Sequence, residues 1–151
     1  MQITSLIQRN VVTADPGDDL SAAARQMREK HVGYLVVTEL DAERGGQRPV
    51  GVVTDRDLVI SVIAADADPR ALRVGDVMSR NPVTLPDTAS FGMALREMRR
   101  IGVRRLPVIN GKGQLEGIVS LDDIIDLLAR ELGDVAGSIS NARRIESATR
   151  S

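Results

Sequence analysis

Gly51-Val52-Val53-Thr54-Asp55-Arg56-Asp57 returns 66 residues later as Gly117-Ile118-Val119-Ser120-Leu121-Asp122-Asp123. Upstream, Arg9-Asn10-Val11-Val12-Thr13 returns 71 residues later as Arg80-Asn81-Pro82-Val83-Thr84. The 71-residue register holds through the front half of each copy, pairing Arg25 with Arg96, Met27 with Met98, Val32 with Val103 and Leu35 with Leu106. It drops between Thr38 and Gly51, where the polar stretch Glu39 to Arg48 stands in place of the shorter Asn110 to Gln114. Both stretches carry glycine between apolar runs, as hairpin loops do. A duplicated unit of this size does not close its own apolar face, so the copies are expected to pack together and leave paired clefts between them.

Each copy reads as strand, helix, strand, strand, helix. Val11 to Thr13 and Val83-Thr84 are the first strands. Leu20, Ala23, Ala24, Met27 and Val32 then recur at helical intervals, as do Phe91, Ala94, Leu95, Met98 and Ile101, with Gly33 and Gly102 as stop signals. Leu35-Val36-Val37 and Leu106-Pro107-Val108-Ile109 are short and β-branched, hence strands; Pro107 argues for an edge or irregular position. The third strands, Val50 to Thr54 and Leu115 to Ser120, run directly into helices that Thr54 or Asp55 and Ser120 or Asp122 are suited to cap.

The 151 residues are 42% hydrophobic and 27% charged, the ordinary soluble range and the length of one compact domain. A formal charge of -1 gives no global attraction to nucleic acid or an anionic membrane. One Phe, one Tyr and no Trp leave no aromatic platform for single-stranded nucleic acid. The absence of cysteine removes disulfides and thiolate metal sites. No stretch nears the ~20 apolar residues of a membrane span, and a cytoplasmic location is the default expectation.

The repeated motif has its own chemistry. Its glycine admits a flat ligand close to the backbone. Its hydroxyl donates or accepts, and its ionised Asp can accept two hydrogen bonds from a vicinal diol such as ribose. The amino end of the following helix favours an anion. Thr54 with Asp57, and Ser120 with Asp123, meet this specification. The plainer alternative is that the hydroxyls only cap helices and the carboxylates only complement the helix dipole. Retention of both groups in equivalent register favours the binding role.

The order and duplication of these motifs, with Gly102-Val103-Arg104-Arg105-Leu106-Pro107-Val108 and the lead-in Val74-Gly75-Asp76-Val77-Met78-Ser79, resemble a tandem pair of CBS domains, a Bateman module. The resemblance covers Ile3 to about Leu132. It implies two pseudo-twofold-related βαββα repeats, 1–70 and 71–133, followed by a helical or disordered tail, 134–151. It further implies that Thr54 and Asp57 in one cleft, and Ser120 and Asp123 in the other, bind ribose and phosphate of an adenosine-containing ligand. AMP, ADP or ATP heads that class, with NAD and S-adenosylmethionine as further members. Arg104 and Arg105 occupy positions that carry phosphate-binding residues in nucleotide-sensing relatives, and guanidinium geometry suits that role. In the first repeat Gly33 and Tyr34 stand there instead, adding Tyr34 to the candidate set. The two clefts are therefore expected to differ, one strong and one weak or empty. The resemblance also implies a homodimer, a possible regulated protein partner, and no catalytic cofactor.

Other candidates carry less. His31, the only histidine, reads as a helix-end surface residue. Asp15-Pro16-Gly17-Asp18-Asp19 lacks calcium-loop spacing and reads as a turn plus a helix start. Asp122 and Asp126 read as helix-face charges. No P-loop, nucleophile elbow or HExxH pattern occurs. In the tail, Val135, Ile139, Ala142 and Ile145 follow loosely helical spacing, which suits a dimer-stabilising or partner-binding helix or a frayed end. The expected function is regulatory nucleotide binding, with two alternatives: a ligand-free dimerisation scaffold and a small nucleotide-processing enzyme.

Overall fold

The computed structural model of the chain describes residues 1–150. The first repeat consists of β1 (Thr13–Ala14), α1 (Leu20–Lys30), β2 (Tyr34–Leu40), β3 (Gln47–Thr54) and α2 (Asp55–Leu58), which runs on as a π-helical turn, Val59–Ile63. A link through α3 (Val74–Val77) and β4 (Ser79–Arg80) leads to the second. That repeat consists of β5 (Leu85–Pro86), α4 (Phe91–Ile101), β6 (Arg105–Ile109), β7 (Leu115–Ser120) and α5 (Leu121–Thr149). The sheets run β1-β2-β3-β4 and β5-β6-β7, with the first pair of each parallel and the others antiparallel. A bulge follows Val37 in one copy and Val108 in the other, the same place in the 71-residue register. The expected βαββα order is observed twice.

Each repeat has its own aliphatic core. Leu20, Ala23, Met27, Leu35, Val37 and Val53 close the first, and Leu85, Ala94, Met98, Leu106, Val108, Val119 and Ile124 close the second. Neither core is made only from its own repeat. The amino-terminal turn Ile3–Leu6 sends Ile3 into the second core, and Gln8 exchanges both backbone hydrogen bonds with Ile118, at 2.9 and 3.0 Å. Reciprocally, α3 sends Val74 into the first core while β4 pairs with Gly51 and Val52. Ile3 and Val74 are equivalent in the 71-residue register and both are fully buried, an anchoring contribution of about 1.5–3 kcal/mol each. The repeats thus complete one another by exchanging their lead-in segments. Arg9 to Glu116, at 2.5 Å, ties down the same crossing.

This exchange explains the two motif glycines and corrects their expected role. A Cβ on Gly51 would lie 2.6 Å from Met78 Sδ and 2.9 Å from the Ser79 carbonyl oxygen. On Gly117 it would run into the Gln8 carbonyl oxygen and lie 2.5 Å from Ile7 Cγ2. The close neighbour of each glycine is the exchanged chain, not a flat ligand.

Three local differences separate the copies. β5 begins one residue later than the repeat predicts, at Leu85 instead of Thr84, and both first strands start beyond Val11 and Val83. In the first copy Val36 N–H donates to the Val12 carbonyl at 3.3 Å; Pro107, at the equivalent place, has no N–H to give. Pro107 accordingly sits on the central strand β6, not an edge, at a position where β6 pairs with β7 alone. Second, α1 is ended by His31, not Gly33: His31 adopts the left-handed conformation (φ 54°), as Gly102 does after α4 (φ 71°). Third, α5 of the second copy continues unbroken to Thr149, in keeping with the helical alternative for the tail, whereas the equivalent helix of the first copy ends in the π-helical turn at Ile63.

Candidate functional site

The motif strands end at hydroxyls that cap helices. Thr54 Oγ1 accepts from Asp57 N–H at 3.2 Å, and Asp57 Oδ2 accepts from Thr54 N–H at 2.8 Å, a reciprocal cap on α2. In the second repeat Ser120 Oγ accepts from Asp123 N–H at 3.1 Å and donates to Asp123 Oδ2 at 2.5 Å. Capping is therefore a real structural duty of all four residues. It leaves the other carboxylate oxygen, Oδ1, of Asp57 and Asp123 without a hydrogen bond among the described residues. Each motif can hold its helix start and still offer an acceptor.

Asp123 differs from Asp57 in having a distant partner. Gln8 Nε2, carried over on the exchanged segment, donates to Asp123 Oδ2 at 2.7 Å. Beside this contact lies a cleft of about 280 Å³ lined by Ser5, Leu6, Gln8, Asp123, Asp126, Leu127 and Arg130. One wall is the amino-terminal crossing and the other is the first three turns of α5. In the register Ile60, Ala64 and Ser79 correspond to Asp126, Arg130 and Gln8, so the first repeat lacks these long polar groups, a difference in residues the motif itself does not contain.

Strand pairing places Tyr34 opposite Thr54 and Arg105 opposite Ser120. Tyr34 and Arg105 are themselves equivalent in the 71-residue register, and the Arg105 charge acts on the Tyr34 phenol. Burial pushes the Tyr34 phenol well above its ordinary range, and the nearby Arg105 charge opposes that rise. Arg105 is exposed. Arg104 is held differently: its Nη2 donates to Asp122 Oδ1 at 2.7 Å in an exposed pair. The structure thus groups Tyr34, Thr54 and Asp57 in one place and Arg105, Ser120 and Asp123 in another, with Arg104 committed to Asp122. His31 is exposed at the end of α1, and Asp15 to Asp19 form a turn in which Asp15 Oδ1 accepts from Gly17 N–H at 2.8 Å. Among the described residues no group of three His, Cys, Asp or Glu side chains could hold a metal ion, and no helix is long and apolar enough to cross a membrane.

Gln8, Ser5 and Arg130 were not singled out by sequence reading. Asp123, Asp126, Leu127 and Arg130 do follow a helix-face spacing that would have grouped them. Gln8 is legible only after the exchange is known.

Comparison with protein families finds the CBS domain twice, over residues 3–63 and 74–130. The chain belongs to the CBS domain family. Among CBS relatives, an uncharacterized protein of Methanopyrus kandleri is 31% identical over 84% of this chain, which spans 62% of that protein's length. Hypoxic response protein 1 of Mycobacterium tuberculosis is 34% identical over 79% of both chains. A crystal structure of Hypoxic Response Protein I with two coordinated zinc ions shares the fold at a TM-score of 0.70, with 31% identity, covering 83% of this chain and 98% of that one. A CBS domain pair solved with 5-methylthioadenosine and S-adenosyl-L-methionine superposes at a TM-score of 0.72 over 87% of this chain and 98% of that one, with 18% identity. The tandem CBS architecture expected from the repeat is the one found.

Proposed function

We propose that this CBS pair is a non-catalytic regulatory module that binds an adenosine-containing ligand, and that its principal site is the cleft at Asp123. The cleft itself carries this reading. It joins an open carboxylate oxygen on Asp123, a second carboxylate on Asp126, a cation on Arg130 and an apolar floor of Leu6 and Leu127. A ribose diol suits the carboxylates, a purine face suits the leucines, and a phosphate suits an arginine. Its volume lies near the lower end of the ~300–1,000 Å³ of small-molecule sites, which favours a ligand of AMP size over a dinucleotide. Arg105, opposite Ser120 on the paired strand, and Arg104 if released from Asp122 are the further cations this repeat could offer a phosphate.

The same cleft supplies a route from binding to regulation. One wall is the exchanged segment that bears Gln8, so a ligand gripping both walls favours the arrangement in which the repeats are locked together. A ligand with different affinity for the locked and loosened arrangements shifts their populations, and through a homodimer or a regulated protein it reports that shift.

Thermal unfolding with AMP, ADP, ATP, NAD and S-adenosylmethionine tests the reading. A ligand present at ~100 times its dissociation constant adds about 2.7 kcal/mol of stability. Unmoved midpoints with all five would instead support a scaffold that works with empty clefts. Replacing Arg104 and Arg105 by Ala is expected to weaken ATP more than adenosine; equal losses would remove the phosphate role. Unchanged nucleotide after long incubation with magnesium is the result expected of a module without catalysis.

A further inference from the structure

We propose that the outer half of α5 forms a parallel two-stranded coiled coil with the same segment of a second copy of this chain. The proposal names a surface for the homodimer of the preceding reading. Every residue from Leu128 to Arg150 is exposed. Gly133, Gly137, Ser138, Ser140 and Asn141 lower the intrinsic helix propensity of this stretch, so a helix running through it draws its stability from a packed face more than from propensity.

The face is present. Ile125, Leu128, Leu132, Val135, Ile139 and Ala142 alternate at spacings of three and four, the a and d positions of a coiled coil. Their aliphatic members are exposed to between 39% at Leu128 and 68% at Leu132. Together those five present on the order of 500 Å² of apolar surface per copy, close to the apolar share of the ~800 Å² per partner in a standard interface.

Three features select a second copy as the occupant. The seam is self-complementary about a twofold axis parallel to the helix, with Ile125, Leu132 and Ile139 at a positions and Leu128, Val135 and Ala142 at d positions, and β-branched Ile125 and Ile139 at a with Leu128 at d are the choices that favour two strands. Ala129 and Ala136 flank it, and Ser138 would face Arg143 of the other helix, so no like charges oppose. The charged side chains Asp126, Arg130, Asp134 and Arg144 lie off the seam and Glu131 and Arg143 only flank it, so the contact surface between the helices is apolar. Glu146, at the next a position, ends it.

The chain has no cysteine, so single thiols can be placed cleanly. In the full chain, Ile139→Cys is expected to form a disulfide-linked dimer under mild oxidation, while Arg144→Cys on the outer face is not. By sedimentation equilibrium, Leu132→Asp with Ile139→Asp is expected to weaken self-association at least about tenfold, with the thermal midpoint at low concentration unchanged. Cross-linking at 139 no greater than at 144, or undiminished association of the double variant, would overturn the proposal. Nucleotide binding measured on the same double variant keeps the two readings apart, because it reports the Asp123 cleft alone.

Discussion

At Gly117 an added methyl group would strike the backbone of Gln8, a residue 109 positions away that reached it by exchange between the repeats. Gly117→Ala and Gly51→Ala are therefore expected to lower stability by about 1–3 kcal/mol, the usual penalty of overpacking, in denaturant titrations without any ligand. Loss of ligand binding with unchanged stability would instead restore the flat-ligand role. His31 offers the opposite test, since a non-glycine residue in the left-handed region is strained. His31→Gly is expected to raise stability by a few tenths to about 1 kcal/mol, because relief of strain outweighs the added freedom of the unfolded chain. A lower melting midpoint would contradict it. Tyr34 predicts a pH dependence. Its folded pKa lies above the unfolded value of ~10, so the folded state binds more protons above that pH. Stability should fall as pH rises past that value, and Tyr34→Phe should remove this component. The hydroxyl and carboxylate pairs at these motifs were legible because they repeat in register. The roles of their glycines were not, because the atoms they admit come from far along the chain.

Pro107 shows how one residue edits an element. Without its N–H, β5 loses the first rung that β1 has, and the strand starts one residue late. Pro107→Val is expected to restore a donor to the Val83 carbonyl, seen as slow hydrogen exchange at residue 107; fast exchange there would contradict the explanation. The apolar spacing of α1, α4 and the inner strands was readable from sequence because those elements pack within their own repeat. First-strand boundaries were misread by one or two residues, since such short strands are set by their neighbours and carry little periodicity of their own. α5 presented a related difficulty. Only its inner part packs on the domain, and the glycines beyond Leu132 hide a helix that runs to Thr149.

Across the whole molecule, duplication supplied two similar sheets and exchange joined them into one unit. Ile3 lies in the second core and Val74 in the first, so the two repeats are expected to unfold together in one cooperative transition. Separate midpoints for the two halves would contradict this. Exchange also bears on how the two repeats differ. The crossing delivers Gln8 to Asp123 and α5 adds Asp126 and Arg130, where the register puts Ser79, Ile60 and Ala64 in the first repeat. The arginine pair of the second repeat was legible in the sequence, whereas the residues that line the cleft at Asp123 emerged only from the fold. The most direct measurement is calorimetric titration of the full chain with the most stabilising of the five adenosine compounds. One strong site per chain, lost in Asp123→Asn and kept in Asp57→Asn, is the predicted result. Binding abolished by Asp57→Asn and spared by Asp123→Asn, or no binding of any of the five, would contradict the assignment.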